Sequence, residues 1–173
     1  FLSNLIESKG VFILLEACKI LNQKDHRFKS IYVGGEGDVN EQQFQEKVKK
    51  LELTEQVAYV GKKYGSEKAS VFASADIFAF PTYYYYECLP LVLLESMQHS
   101  LPIVSTFEGG IPDIIEDGVN GFLVKQKDVF ALADKLEVLI NNSLLRQKMG
   151  NVGRIKYEQE FTLKIFEQKL TKI

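Results

Sequence analysis

Two glutamates, Glu87 and Glu95, have the residue type and the spacing of a functional carboxylate pair. The segment 91–97 is apolar on nearly every helical face, and Glu95 is its only charge. A carboxylate in such a segment costs free energy unless a cation or a hydrogen-bond donor satisfies it. Pro90 suits the first position of a helix, which places Glu87 in the preceding loop and Glu95 about two turns further along. We therefore predict that both carboxylates face one crevice.

Two other interpretations of the glutamates stay open. In the first, each carboxylate forms a buried salt bridge with a nearby lysine and has no ligand. In the second, the pair acts as in a glycosidase, where one acid has a raised pKa and an open cleft separates the two. Glycosidases usually hold their acids on several strands of a barrel, and the order of elements in this chain does not predict a barrel.

The elements that must position these side chains alternate between strands and helices. Short apolar runs predict about six strands, at 1–5, 30–33, 57–60, 77–80, 103–105 and 121–124. Helical periodicity predicts helices between them, at 11–22, 41–53, 67–74, 91–99, 111–116, 129–141, 144–150 and 163–170. This alternation predicts an α/β, Rossmann-like, doubly wound parallel sheet. Ligands of such folds bind at the carboxyl ends of the strands, so function should be sought in the loops that follow them.

Three of those loops have residues that suit an anionic ligand. Lys9 and Gly10 follow the first strand, where an ammonium above a helix start can neutralise a phosphate. Glycines follow the second and fifth strands and allow a backbone to approach a ligand closely. They are Gly34, Gly35, Gly37, Gly109 and Gly110. The first glycine group is not G-x-G-x-x-G, so an ordinary glycine-rich turn is an equal alternative there.

Composition excludes several classes of protein. The chain has 173 residues, a net charge of −2 and a pI near 5.8, which leaves no electrostatic footprint for nucleic acid. Its two cysteines predict no disulfide framework, and no apolar run is long enough for a membrane span. Neither His26 nor His99 has the spacing of a metal ligand. The two cysteines, far apart in sequence, favour a reducing, cytoplasmic compartment. Because the chain opens on Phe1 inside an apolar strand, we expect it to be one domain of a longer protein.

The order of these segments resembles that of retaining nucleotide-sugar glycosyltransferases of the GT-B architecture, family 4. The E-x7-E spacing from Glu87 to Glu95 matches the signature of that family. Several apolar positions around the second glutamate also match: Leu91, Val92, Leu94 and Met97. Downstream, the chain is similar to the family's G-G-x-P-E and D-G-x-N-G-x-L-V motifs, with Asp113 in place of the usual glutamate. The resemblance extends from Phe1 to near Phe166.

The resemblance implies roles for individual residues. Glu95 would accept hydrogen bonds from the ribose hydroxyls of the donor, and Glu87 would lie near the transferred sugar. Glu87 and Lys9 are the catalytic candidates, and Lys9 would hold the donor pyrophosphate. Lys63 and Tyr64 would border the nucleobase, and the N–H groups at a helix start would cap the diphosphate. The full set of donor-binding candidates is Glu95, Asn4, Gly35, Gly37, Lys63, Tyr64, Leu89, Leu91, Val92, Gly109 and Gly110.

Besides Asp113, several positions depart from the family pattern, and three of them bear most on the donor site. Asn4 stands where an arginine is expected, so the guanidinium that would help to hold the phosphate is missing. Cys88 and Pro90 also differ, and Pro90 has no N–H to offer a phosphate.

The function implied by the resemblance is transfer of a sugar from a nucleotide-sugar donor, such as a UDP- or GDP-sugar, with retention of configuration. Residues 1–173 would be the donor-binding domain, and an N-terminal domain absent from this chain would bind a glycan or lipid-linked acceptor. By analogy the setting is bacterial lipopolysaccharide or capsule synthesis at the inner face of the cytoplasmic membrane, with no metal cofactor and no nucleic acid. This domain alone would turn over little substrate. The alternative is a non-catalytic Rossmann-like module with a nucleotide-binding or regulatory role.

Overall fold

The structure is a computed structural model and describes residues 1–171. It contains a short 3-10 turn, Glu7–Lys9, and five strands: β1 (Ser30–Tyr32), β2 (Val57–Tyr59), β3 (Phe78–Phe80), β4 (Ile103–Thr106) and β5 (Gly121–Val124). The helices are α1 (Val11–Gln23), α2 (Glu41–Lys50), α3 (Gly65–Ala73), α4 (Leu91–Gln98), α5 (Ile111–Ile114), α6 (Val129–Asn141), α7 (Ser143–Glu160) and α8 (Leu163–Leu170). The prediction of an α/β chain is confirmed.

All pairings between strands are parallel. β1 pairs with β2, and β3, β4 and β5 form a second group in that order. The segment 1–5 runs parallel to β1 through bridges at Leu2 and Leu5, and the ring of Phe1 lies 6.0 Å from that of Phe80 in β3. The segment therefore lies between the two groups. Within residues 1–171 no strand pairing joins this segment to β3, so the two groups are separate ladders. Counted with 1–5 as the first strand, this placement corresponds to the order 3-2-1-4-5-6 of doubly wound folds.

Two predicted elements differ in the structure. Residues 1–5 make isolated bridges and not a continuous strand. The segment 33–36 with which they pair leaves the extended path at Gly34, where φ is +147°. The helix predicted to end at Gly150 continues to Glu160 as α7. Gly150 lies inside this helix and does not end it. A side chain at this position would overlap the carbonyl oxygen of Ser100. The glycine serves close packing of the helix on the chain after α4.

Apolar side chains cover both faces of the sheet. Ala79 and Val104 belong to one core cluster, together with α1, α2 and α6, while Phe78 and Ile103 belong to a second, together with α4 and α5. Adjacent residues of one strand thus face opposite layers, as the period of a strand requires. Because both faces are covered, the loops at the strand ends are the places where polar groups meet.

Candidate functional site

Lys9 and Glu87 form an ion pair at the point where the strand order reverses. The loop after segment 1–5 is tied to the loop after β3, because Ser8 accepts hydrogen bonds through its carbonyl from the Tyr83 N–H (2.7 Å) and the Thr82 hydroxyl (3.3 Å). Lys9 Nζ therefore reaches Glu87 Oε2 at 2.5 Å, although 78 residues separate the two. The side chain of Glu87 is only 8% exposed. A nearly buried carboxylate of this kind depends strongly on its cation.

Two glycines support the backbone around Glu87. Gly109 adopts φ +49°, and a side chain there would overlap the Glu87 carbonyl oxygen. The Gly110 N–H donates to the carbonyl of Cys88 at 2.7 Å. The close approach expected of these glycines is therefore made to the Glu87 loop, and the Gly110 N–H is already engaged there.

Glu95 forms a second ion pair on the same side of the molecule. Lys68, in the first turn of α3, donates to Glu95 Oε1 at 2.5 Å, and the Glu95 side chain is 36% exposed. Segment 91–97 is apolar on nearly every face and so suggests a buried helix, but α4 buries only Leu93, Ser96 and Met97. The prediction that Pro90 is the first helical residue is wrong, because α4 begins at Leu91 and Pro90 is its N-cap. The salt bridge with a lysine, one of the interpretations that the sequence left open, is present at both glutamates.

The start of α4 offers unsatisfied donors. Within residues 1–171, the N–H groups of Leu89, Leu91 and Val92 donate to no other protein group. The first turn of a helix has no internal partner for its N–H groups, and the helix dipole favours an anion there. The predicted role of these N–H groups as caps of a diphosphate is compatible with this geometry and stays a prediction.

A small open pocket of about 160 Å³ brings together four of the predicted donor residues. Asn4 Oδ1 accepts from the Gly35 N–H at 3.0 Å, and Lys63 donates to Glu67 at 3.1 Å. Lys68 also lines the pocket and so connects it to Glu95. The predicted donor residues that line the pocket are Asn4, Gly35, Lys63 and Tyr64.

Other predicted residues lie outside this pocket. Gly37 packs against Leu5 and Ile6, and neither Lys9 nor Glu87 contributes to the lining. The two glutamates thus belong to two neighbouring polar clusters and not to a single lining. Lys62 and Lys68 were missed by sequence reasoning, because nothing in their local pattern distinguishes them from ordinary surface lysines.

Tyr59 fixes the glycine loop beside the pocket. Its hydroxyl donates to the Gly34 carbonyl at 2.9 Å. Burial, reinforced by the negative charges of Glu41 and Glu36, raises the pKa of this hydroxyl above its usual value. Tyr59 therefore stays a neutral donor and holds the loop in place.

A larger cavity of about 610 Å³ lies at the opposite end of the sheet, lined mainly by apolar residues such as Phe1, Leu14 and Phe78. It contains none of the predicted site residues. We assign function to the polar edge, because charged groups and free N–H donors converge there.

Across residues 1–171 no group of three His, Cys, Asp or Glu side chains could hold a metal ion. In the same part of the chain, no helix has the length and apolar character needed to cross a bilayer.

The lobe is a doubly wound α/β domain with polar groups at the point where the strand order reverses, which is where ligands of this architecture bind. The sequence profile of the family described as glycosyl transferases group 1 matches residues 1–156. This chain belongs to that family.

Curated relatives from bacterial polysaccharide synthesis are similar over the whole chain. The capsular polysaccharide biosynthesis glycosyltransferase CapM of Staphylococcus aureus is 28% identical over 98% of this chain, which covers 43% of CapM. The amylovoran biosynthesis glycosyltransferase AmsK of Erwinia amylovora is 33% identical over 99% of this chain, which covers 42% of AmsK. The chain thus spans less than half the length of these relatives.

Solved structures share the fold. Anabaena HepE, crystallised in complex with UDP, superposes with a TM-score of 0.88 at 22% identity, over 99% of this chain and 46% of HepE. The C-terminal domain of the group 1 glycosyl transferase LpcC from Francisella tularensis superposes with a TM-score of 0.83 at 28% identity, over 94% of this chain and 84% of that domain. The chain therefore has the Rossmann-like architecture of one GT-B lobe and corresponds to the C-terminal domain of longer glycosyltransferases.

Proposed function

We propose that this chain is the donor-binding domain of a glycosyltransferase that moves a sugar from a nucleotide-sugar to a glycan or lipid-linked acceptor with retention of configuration. The observation that carries the proposal is the pair of lysine–glutamate contacts beside a polar pocket at the switch point of the sheet. Lysines and free N–H groups match a diphosphate, and carboxylates match sugar hydroxyls. The complex of HepE with UDP supports a nucleotide as the ligand class.

In the proposed mechanism, the Lys9 ammonium and the N–H groups at the start of α4 stabilise the charge that develops on the departing diphosphate. The bond between the anomeric carbon and the diphosphate oxygen breaks, and the electron pair leaves with the oxygen. The acceptor hydroxyl attacks from the same face, and its proton passes to the departing phosphate oxygen. Glu87 orients the sugar through its hydroxyls, and Glu95 orients the ribose.

The setting we propose is synthesis of a bacterial surface polysaccharide on the cytoplasmic side of the membrane, without a metal cofactor. Its support is that the relatives CapM and AmsK are glycosyltransferases of capsular polysaccharide and amylovoran biosynthesis. The acceptor would bind mainly to a further domain, since those relatives are more than twice as long as this chain. The donor-binding role of residues 1–173 is part of the same proposal.

Thermal unfolding with UDP, GDP, ADP and CMP, followed by the matching sugar nucleotides, tests this function. A ligand at ~100 times its dissociation constant adds roughly 2.7 kcal/mol of stability, which raises the melting temperature by about 5–10 °C for a domain of this size. We expect a shift that depends on the base. Glu95→Gln removes the charge at constant shape and should abolish the shift.

The matched control is Glu158→Gln, which breaks an exposed ion pair with Arg154 on α7, outside the pocket lining. This variant should shift as the parent chain does. A parent chain that responds to no nucleotide, or a Glu95→Gln variant that responds fully, would contradict the proposal. A chain that binds nucleotide but, joined to an acceptor domain, releases no sugar would be a binding module and not an enzyme.

A further inference from the structure

Lys62 lines the polar pocket and passes over Gly35. A side chain at Gly35 would overlap Lys62 Cε and would lie 3.3 Å from Asn4 Oδ1. Lys62 and Asn4 therefore flank the same backbone position, and the lysine can take this path only because residue 35 is a glycine. The side chain is exposed, so its ammonium stays hydrated and free to follow a ligand.

The other lysines of this edge are already paired. Lys63 contacts Glu67, Lys68 contacts Glu95, and Lys9 contacts Glu87. Among residues 1–171, Lys62 has no carboxylate within ion-pair distance and no hydrogen bond from its ammonium. The pocket thus has one cation whose charge is not neutralised by the protein, and this charge attracts an anion.

The amide of Asn4 adds donors beside that cation. Because Asn4 Oδ1 accepts the Gly35 N–H at 3.0 Å, the orientation of the amide is fixed and its Nδ2 group faces away from this bond. Within the part of the chain that the structure describes, Asn4 Nδ2 has no acceptor. Lys62 and Asn4 together therefore present only donors, which suits a ligand that presents only acceptors, such as a phosphate group.

We propose that Lys62, together with Asn4 Nδ2, binds a phosphate oxygen of the nucleotide. The inference rests on the proposed function and names the residue that supplies the positive charge missing at position 4. The resemblance to the family predicts an arginine at position 4. In this chain the positive charge is instead supplied by Lys62, in the loop after β2. The ligand contacted is the diphosphate, and neither the base nor the sugar is involved.

Binding of UDP, GDP and ADP to the 173-residue chain, each compared with its own nucleoside by titration calorimetry, separates these groups. Lys62→Met should weaken binding of the preferred diphosphate about tenfold, as expected for one charge-assisted hydrogen bond, and should leave the nucleoside unchanged. Lys62→Arg should bind as the parent chain does. Lys50→Met is the matched control, since Lys50 is an exposed lysine at the end of α2 and does not line the pocket.

A charge placed back at position 4 gives the sharpest test. Asn4→Arg in the Lys62→Met background should recover most of the lost diphosphate affinity, because it restores one cation beside the same phosphate. Equal loss of diphosphate and nucleoside in Lys62→Met would overturn the proposal, as would unchanged diphosphate affinity or failure of the arginine to rescue. A parent chain that binds none of the three diphosphates would instead overturn the proposed function, and this inference with it.

Discussion

The two lysine–glutamate pairs at the polar edge have the same nitrogen–oxygen distance, 2.5 Å, but different surroundings. Glu87 is nearly buried on a loop that Gly109 contacts through its backbone, and the ring of Tyr84 lies 4.4 Å from Lys9 Nζ. Glu95 and Lys68 lie on two helices with side chains that are 36% and 27% exposed. The first pair therefore stabilises the fold around the switch point, while water or a ligand can replace either partner of the second. Two ion pairs with the same distance can therefore contribute differently to the free energy of unfolding, because one is buried and the other is partly exposed.

The largest effect is expected from removing the cation of the buried pair. Lys9→Met leaves the Glu87 carboxylate without a partner in a nearly water-free position, so we expect a loss of about 3 kcal/mol in the free energy of unfolding. Urea unfolding measures this loss. The double variant Lys9→Met, Glu87→Gln should recover part of it, because no unpaired charge is left. A loss below about 1 kcal/mol would show that solvent reaches Glu87 and that the two pairs do not differ.

The next effect concerns the support of the Glu87 loop. Gly109→Ala places a methyl group against the Glu87 carbonyl at a backbone angle of φ +49°, so we expect a loss of about 2 kcal/mol from overpacking and strain. Gly118→Ala is the matched control, because Gly118 also has a positive φ, +78°, but has open space around it. A loss no greater than that of the control would mean that the close approach to Glu87 is relaxed at little cost.

A smaller effect is expected at the exposed pair. Lys68→Met should cost less than about 1 kcal/mol of stability, because water replaces the ammonium around Glu95. Urea unfolding beside Lys9→Met makes the comparison direct. If the two lysine variants lost similar stability, burial would not explain the difference between the pairs. The same Lys68 variant should change nucleotide affinity more than stability, since Lys68 lines the pocket.

The smallest effect is expected at Glu137, which pairs with Lys24 and His26 outside the site. This pair serves as a reference for the two lysine–glutamate pairs of the polar edge. Hydrogen bonds from Lys24 and His26 lower the pKa of Glu137 below its usual value of 4.5. A carboxyl whose pKa is lowered on folding contributes stability above pH ~4.5 and loses it as the pH falls through its folded pKa. Glu137→Gln should therefore reduce the loss of stability between pH 5 and the acid limit, measured by urea unfolding at several pH values. An unchanged pH profile would contradict the pairing.

Much of the fold could be predicted from the sequence, because it depends on short-range patterns. The apolar runs at β3, β4 and β5 and the periodicity of α1 and α6 mark their elements directly. Glycines were harder to interpret, since the same residue type ends a helix or allows close packing. Gly150 was predicted to end a helix, yet it lies within α7 against Ser100. Only a neighbour distant in sequence distinguishes the two cases.

The sequence by itself determined the class of fold, the placement of Glu87 before a helix and of Glu95 within it, and the loops where polar groups gather. Tertiary structure alone decided which cation each carboxylate meets. Lys9 and Glu87 are 78 residues apart, and their contact requires segment 1–5 to lie beside β3. Tertiary structure also decided that α4 is half exposed and that Lys62 crosses Gly35. Periodicity and propensity act between near neighbours, whereas ion pairing and burial depend on the order in which the strands assemble.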